Sequence, residues 1–155
     1  MTRPTTPDHA SPVRSPAQRK TDTLELLSTQ RHTWLSTTGP NGAHLIPLRC
    51  VWAAGRLVMS TGPTSRTARN LTRIPKARAA LGTPLDVVLC DGSVAVLPPD
   101  RLPAEVAERL GDEQPARWRA PDRVYLVLTP DRISAWRHRA EIPHRVVMSG
   151  GEWSA

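Results

Sequence analysis

A chain of 155 residues with 16 Pro and 9 Gly accommodates one ordinary domain and excludes two. Aromatic residues are confined to 5 Trp and 1 Tyr, so the core must rest on Val, Leu, Ile and Ala, and each Trp needs a partner for its N–H. A formal net charge of +7 and a pI near 10.9 favour anionic partners such as nucleic acid, phosphorylated cofactors or an acidic surface, although the basic residues never form a long run.

Residues 1–20 are rich in Pro, Thr, Ser and Arg and lack apolar periodicity. Such a composition cannot bury enough surface to offset ordering entropy, so the segment reads as a disordered basic arm ahead of a single domain at 21–155. No apolar h-region follows and no stretch approaches ~20 apolar residues, so the expectation is a cytoplasmic chain with neither secretory signal nor membrane span. Asp22, with Glu25 three residues on, forms a capping box that opens a short helix ending near Gln30.

Strand patterns follow. Thr33–Thr38, the turn Gly39-Pro40-Asn41-Gly42 and Ala43–Ala53 form an antiparallel hairpin. Ala54-Gly55 then turns the chain into Arg56–Thr61. Within the second strand Ile46, Leu48, Cys50 and Trp52 alternate onto one apolar face, while Leu45, Pro47, Arg49 and Val51 take the other. Pro47 removes a ladder donor, which places this strand at an edge or bulge. Arg49, in the middle of such a strand, requires an anion or open solvent.

A short basic helix at Arg66–Ile74 starts from Ser65 and is stopped by Pro75. Strands at Ala77–Leu81 and Asp86–Leu97 come next, the latter bent or bulged at Asp91-Gly92. A helix at Pro103–Leu110 precedes Gly111. Strands at Val124–Thr129 and Arg132–Trp136 are joined by Pro130-Asp131, and the tail Arg145–Trp153 adds a last strand. Six or seven strands with two or three short helices predict a mainly β protein built as an antiparallel barrel. Cys50 and Cys90 both lie in apolar strand segments and read as buried thiols in a reducing compartment.

The segment Ser60-Thr61-Gly62-Pro63-Thr64-Ser65-Arg66-Thr67-Ala68-Arg69-Asn70-Leu71 runs from strand end to helix start. A helix N-terminus offers unpaired N–H groups and a positive dipole end, and Arg grips phosphate in bidentate fashion. The same residues also make an ordinary capped helix with solvated arginines. The five His residues are scattered without metal-ligand spacing, so no metal site is expected. His44 lies on the second strand and is a candidate proton donor, though a His there commonly just caps a hairpin.

The stretch S-R-T-A-R-N-L-T-R-I-P from Ser65 to Pro75 resembles the S-x-K-x-R-N-L…P segment of the pyridoxamine 5'-phosphate oxidase-like, FMN-binding split-barrel superfamily. Upstream, W-L-S-T-T-G-P-N-G-A-H-L-I-P-L-R-C-V-W looks like that family's first hairpin. Asp86–Val96 resembles its D-V-V-V-x-G-x-A strand, and Tyr125–Arg137 its closing P-x-R-h-x-A-W strands. The resemblance covers residues 24–153 and implies a six- to seven-stranded antiparallel split β-barrel that dimerises with its cofactor at the interface. It further implies that Pro47, Leu48 and Arg49 line the isoalloxazine or its chain, and that Ser60 and Thr61 approach the ring or ribityl part. Ser65, Arg66 and Asn70 would stand near the phosphate, and Trp136 would reach the partner's cofactor. The family's phosphate-binding Lys falls on Thr67, so charge must come from Arg49, Arg66 or Arg69.

Family members use FMN, coenzyme F420 or sometimes haem or biliverdin. An arginine-rich groove suits the phosphodiester and glutamate tail of F420, with FMN close behind. The implied activity is hydride transfer from reduced F420 or FMN to an unsaturated small-molecule acceptor, the cofactor carrying the chemistry and the protein supplying position and electrostatics. A non-catalytic flavin-binding or cofactor-sequestering protein is the alternative, since no acid–base pair stands out. Pyridoxamine phosphate oxidation itself is disfavoured because no second phosphate site is visible. Nucleic-acid binding is disfavoured because aromatics do not interleave with the basic residues.

Overall fold

A computed structural model describes residues 12–154 of the chain. The first eleven positions of the expected N-terminal arm lie outside the described residues, and the remainder of that arm is structured. Helix α1 spans Pro16–Thr29, with Ser15 as its N-cap accepting from the Gln18 N–H at 3.1 Å. The Ser-Pro pair, a side-chain cap followed by a residue pre-set to helical φ, starts the helix upstream of the expected cap at Asp22. Asp22 instead lies inside the helix and accepts from the Gln18 side chain at 2.7 Å. Arg19, Thr23 and Leu27 recur at four-residue spacing and are buried on one face.

The residues just before α1 are clasped to the far end of the chain. Arg14 donates its backbone N–H to Glu141 Oε1 at 2.9 Å, its Nε to the same oxygen at 3.1 Å and its Nη2 to Oε2 at 2.8 Å. Glu141 also accepts the Arg137 N–H at 3.0 Å, and both Arg14 and Glu141 are buried. Burial alone would raise this carboxyl, but the bonds from Arg14 and Arg137 hold it down to about 2.

The strands are β1 (His32–Gly39), β2 (Gly42–Arg49), β3 (Val51–Ala53), β4 (Arg56–Thr61), β5 (Lys76–Thr83), β6 (Asp86–Leu97), β7 (Val124–Trp136), β8 (Val146–Ser149) and β9 (Glu152–Trp153). The pairing path is β2-β1-β5-β6-β7-β4-β3, all antiparallel, with β8 added to β7 and β9 to β8. The two ends of the path, β2 and β3, are consecutive in the chain and meet at Cys50. That covalent link curls the seven-stranded sheet into the half-barrel expected from the sequence.

Three sequence expectations change here. The strand expected over Ala43–Ala53 breaks at Cys50, whose N–H donates to the Arg31 carbonyl at 2.8 Å. The first half pairs with β1 and the second with β4. Pro130-Asp131 is not a turn between two strands: β7 is continuous, with Asp91 opposite Arg132 and Gly92 opposite Pro130. Asp131 is therefore the extra residue of a β-bulge. Its partner Gly92 is forced, because a Cβ there would lie 2.1 Å from the Thr129 carbonyl oxygen. The tail forms a hairpin, β8–β9, about Gly150 and Gly151, both at positive φ.

Apolar residues gather in two cores. Leu27, Leu35, Leu57, Met59, Leu71, Leu126, Leu128 and Ile133 fill the half-barrel. On the other side of β3, β4 and β7, Val51, Val58, Trp118 and Tyr125 pack with Val106 and Leu110 of α3 (Ala104–Leu110). Trp118 meets Tyr125 edge-on at 6.3 Å, and the Tyr125 hydroxyl donates to Gln114 Oε1. Leu48, Cys50 and Trp52 side with the first core, while Val51 and Ala53 side with the second. The predicted alternation thus survives the break at Cys50.

Candidate functional site

Helix α2 (Arg66–Arg73) organises the site. Ser65 caps it, accepting from the Ala68 N–H at 3.1 Å, while Thr61 Oγ1 donates to Ser65 Oγ at 2.9 Å and fixes the cap against the end of β4. Ile74 closes the last turn by donating its N–H to Asn70, and Pro75 prevents continuation. One side of the helix buries Thr67, Ala68, Asn70 and Leu71. Asn70 reaches across to β1, donating Nδ2 to Thr37 Oγ1 at 3.1 Å.

The other side of α2 carries Arg66, Arg69 and Arg73, all exposed. Positions i, i+3 and i+7 share a helix face, so the three guanidinium groups line up over a rise of ~10 Å. They border a groove of about 460 Å³ lined also by the β1–β2 turn, Gly39 to Ala43, and by His44 and Asn70. Among the described residues none of these three arginines has a carboxylate partner. Like charges a turn apart repel, so the row is satisfied only by an anion or by water.

The residues singled out from the sequence fall into three places. Arg66, Asn70 and His44 come together in the groove; His44 is half-buried and lies directly across from Thr37. Ser60, Thr61, Ser65 and Thr67 cluster where β4 passes into α2. Ser60 is buried and accepts from Arg123 Nε at 3.1 Å. The Thr67 hydroxyl is buried with no hydrogen-bond partner. Pro47, Leu48 and Arg49 lie further along β2 and do not line the groove.

Pro47 is exposed on an edge strand, where its missing N–H costs nothing. Arg49 buries its Nε without a partner. Trp136 ends β7 opposite Val87, with β1, β5 and β6 between it and β2. Arg73 and the lining contributed by the hairpin turn were missed in the sequence. The i, i+3, i+7 spacing from Arg66 is the signal that identifies Arg73.

Both cysteines are free and buried, and burial pushes the thiols of Cys50 and Cys90 up to about 12, although Arg31 and Arg49 act in the opposite sense on Cys50. Among the described residues no helix is long and apolar enough to cross a membrane.

A curled antiparallel sheet with a short basic helix set against its first hairpin defines the class: a β half-barrel with a groove bordered by three arginines. The sequence profile of pyridoxamine 5'-phosphate oxidase matches residues 20–137, and the chain belongs to that family. No curated protein sequence matches the chain. Solved structures share the fold. General stress protein 26 from Bacillus anthracis str. Sterne is 18% identical with a TM-score of 0.60, over 75% of this chain and 92% of that one. An F420 reductase is 20% identical with a TM-score of 0.54, over 71% and 94%. A FAD-binding protein from Mesorhizobium loti is 16% identical with a TM-score of 0.58, over 74% and 90%.

Proposed function

We propose that this chain is a cytoplasmic oxidoreductase that binds coenzyme F420 or FMN and reduces an unsaturated small-molecule acceptor. The observation that carries the reading is the row Arg66, Arg69 and Arg73 along a groove of about 460 Å³, without carboxylate partners among the described residues. An elongated row of cations suits the phosphodiester and carboxylate tail of F420 better than the single phosphate of FMN. Family membership and the named F420 and FAD neighbours support a flavin-type cofactor.

Such a cofactor supplies two-electron hydride chemistry when bound. The arginine row and the first turn of α2 hold its anionic part, and Asn70 keeps that helix in place against β1. Pro47 and Leu48 of β2, together with Ser60 and Thr61, are assigned to the ring by the family resemblance alone, and all four lie outside the groove. His44 is the imidazole of the groove and the group assigned to hold a proton. A homodimer completes the reading: β1 and β2 leave Trp34 and Leu45 53% and 58% exposed on one sheet face, more apolar surface than a solvated strand face needs. Trp136 would then face the partner's cofactor.

Titration with F420 and with FMN, each followed by fluorescence, tests the proposal. Saturable binding of either is expected, and no change with either would overturn it. The groove lining contains no carboxylate to pair with His44, which favours a non-catalytic carrier as the second reading. Steady oxidation of the reduced cofactor by a quinone or enone acceptor excludes that alternative.

A further inference from the structure

We infer that Asn41 is a self-modification site that sets how strongly the arginine groove holds an anion. Its carboxamide closes on the backbone nitrogen of Gly42, loses ammonia, and leaves a carboxylate on the lining it shares with Arg66, Arg69 and Arg73. The modification rests on the hairpin alone. Its effect on binding rests on the reading that this groove takes an anionic ligand.

The chain contains two asparagines, Asn41 and Asn70, and both line the groove. Their surroundings are opposite. Asn70 is 2% exposed, donates Nδ2 to Thr37 Oγ1 at 3.1 Å, and is followed by Leu71 inside a helix. Asn41 is exposed in the turn between β1 and β2, and Gly42 follows it. Among the described residues its carboxamide has no hydrogen-bond partner. Gly42 has a φ of +121°, a region that disfavours any side chain, so the turn itself demands a glycine after Asn41. A Cβ built on Gly42 would meet nothing within 4 Å. No side chain screens the Gly42 nitrogen, and the Asn41 carboxamide has room to swing onto it.

The step is hydrolytic and needs no oxidant. The Gly42 nitrogen gives up its proton and attacks Cγ of Asn41; the N–Cγ bond forms, the Cγ–Nδ2 bond breaks, and ammonia leaves. Water then opens the cyclic imide at either carbonyl, giving aspartate or isoaspartate. Asparagine counts among the thermolabile residues, and a free side chain followed by an unscreened glycine nitrogen combines the conditions this ring closure needs.

The charge produced lands among unpaired cations. Arg66, Arg69 and Arg73 have no carboxylate partner among the described residues, and the groove lining contains no carboxylate at all. Conversion of Asn41 introduces the first. A built-in counter-ion lowers the positive potential that draws a phosphate or carboxylate ligand, so the groove weakens as the molecule ages. Asn70, buried and bonded, keeps its amide and holds α2 in place meanwhile.

The test ages the full chain in mildly alkaline buffer at physiological temperature and follows both asparagines by peptide mass mapping. Calorimetry at low ionic strength gives the affinity for tripolyphosphate, an anion without cofactor chemistry. Asn41 is expected to convert to aspartate and isoaspartate while Asn70 stays an amide. The converted protein and Asn41→Asp should bind tripolyphosphate about 2- to 5-fold more weakly than fresh protein, the worth of a solvent-exposed ion pair. Asn41→Gln should bind as fresh protein does and keep its affinity on ageing. The inference is overturned if Asn41 keeps its amide for as long as Asn70, if Asn41→Asp binds as tightly as wild type, or if fresh protein takes no tripolyphosphate. Fresh protein that takes neither FMN nor F420, yet shows the expected conversion and affinity ratios, would sink the cofactor reading and leave this inference standing.

Discussion

Asn70 and Thr37 join α2 to β1 through one buried side-chain hydrogen bond of 3.1 Å. The contact has no slack, because a Cβ on the neighbouring Gly39 would come within 3.2 Å of Asn70 Oδ1. Asn70→Ala leaves the Thr37 hydroxyl buried and without its donor, and should cost about 1–3 kcal/mol of stability. Urea denaturation of Asn70→Ala, Thr37→Val and the double variant checks this. The double variant should lose less than the sum of the two single losses.

Arg69 and Arg73 lie on the solvent side of α2 and touch neither core, so Arg69→Ala and Arg73→Ala should leave stability within about 0.5 kcal/mol of wild type. Each should weaken FMN or F420 binding and flatten its dependence on salt, because a screened charge has been removed. Affinities at low and moderate ionic strength give the slope. An unaltered slope in the double variant would remove the arginine row from the binding site.

Gly92→Ala should destabilise the protein by about 3 kcal/mol or more, since the new methyl meets a backbone carbonyl in the middle of the sheet. The loss should register in thermal unfolding. Gly62, where a Cβ meets nothing within 4 Å, is the control position, and Gly62→Ala should be nearly silent.

Glu141 gives the fold an acid sensitivity of defined sign. Its carboxyl is held at about 2 in the folded protein against an ordinary 4.5. The stabilisation is therefore complete above the ordinary value and is lost as pH falls from there through about 2. Arg14→Ala strands a buried carboxylate and should cost about 3–5 kcal/mol at neutral pH. Glu141→Gln should remove this part of the acid dependence. Denaturation midpoints between pH 6 and pH 3 distinguish the three proteins.

Cys50 and Cys90 should resist a thiol-reactive disulfide reagent in the native state, because both are buried and their thiols are pushed up to about 12. Labelling should begin only with unfolding, and its rate should follow the denaturant curve.

The parts of this architecture readable in the sequence are those written in local chemistry. Ser65 and Pro75 bracket α2 because a cap and a helix stop act over a few residues. Asp91-Gly92 marks the bulge because only glycine tolerates the carbonyl it meets. What escaped depends on distant partners. Nothing near Cys50 states that the chain must leave β1 there and pair with β4 as β3, since that is decided by the closing of the sheet. Pro130-Asp131 has turn composition, yet β6 on one side holds it in a continuous strand. The start of α1 was misplaced because Asp22 and Ser15 both suit an N-cap, and the Pro after Ser15 decides between them. In the site, Arg66 and Asn70 were visible as a motif, whereas the role of the hairpin turn in lining the groove arises only when the β1–β2 hairpin and α2 come together.

The clasp between Arg14 and Glu141 spans 127 positions, which sets an order of events during synthesis. The first helix leaves the ribosome well before the carboxylate that fastens its leading end, which follows Arg14 by 127 positions. Until then α1 has to wait with Arg14 solvated and Leu27 only partly covered, and the nascent barrel stays open at that end. Long-range closure of this kind slows folding. A ribosome stalled before residue 141 should carry a chain whose N-terminal helix is cut readily by protease.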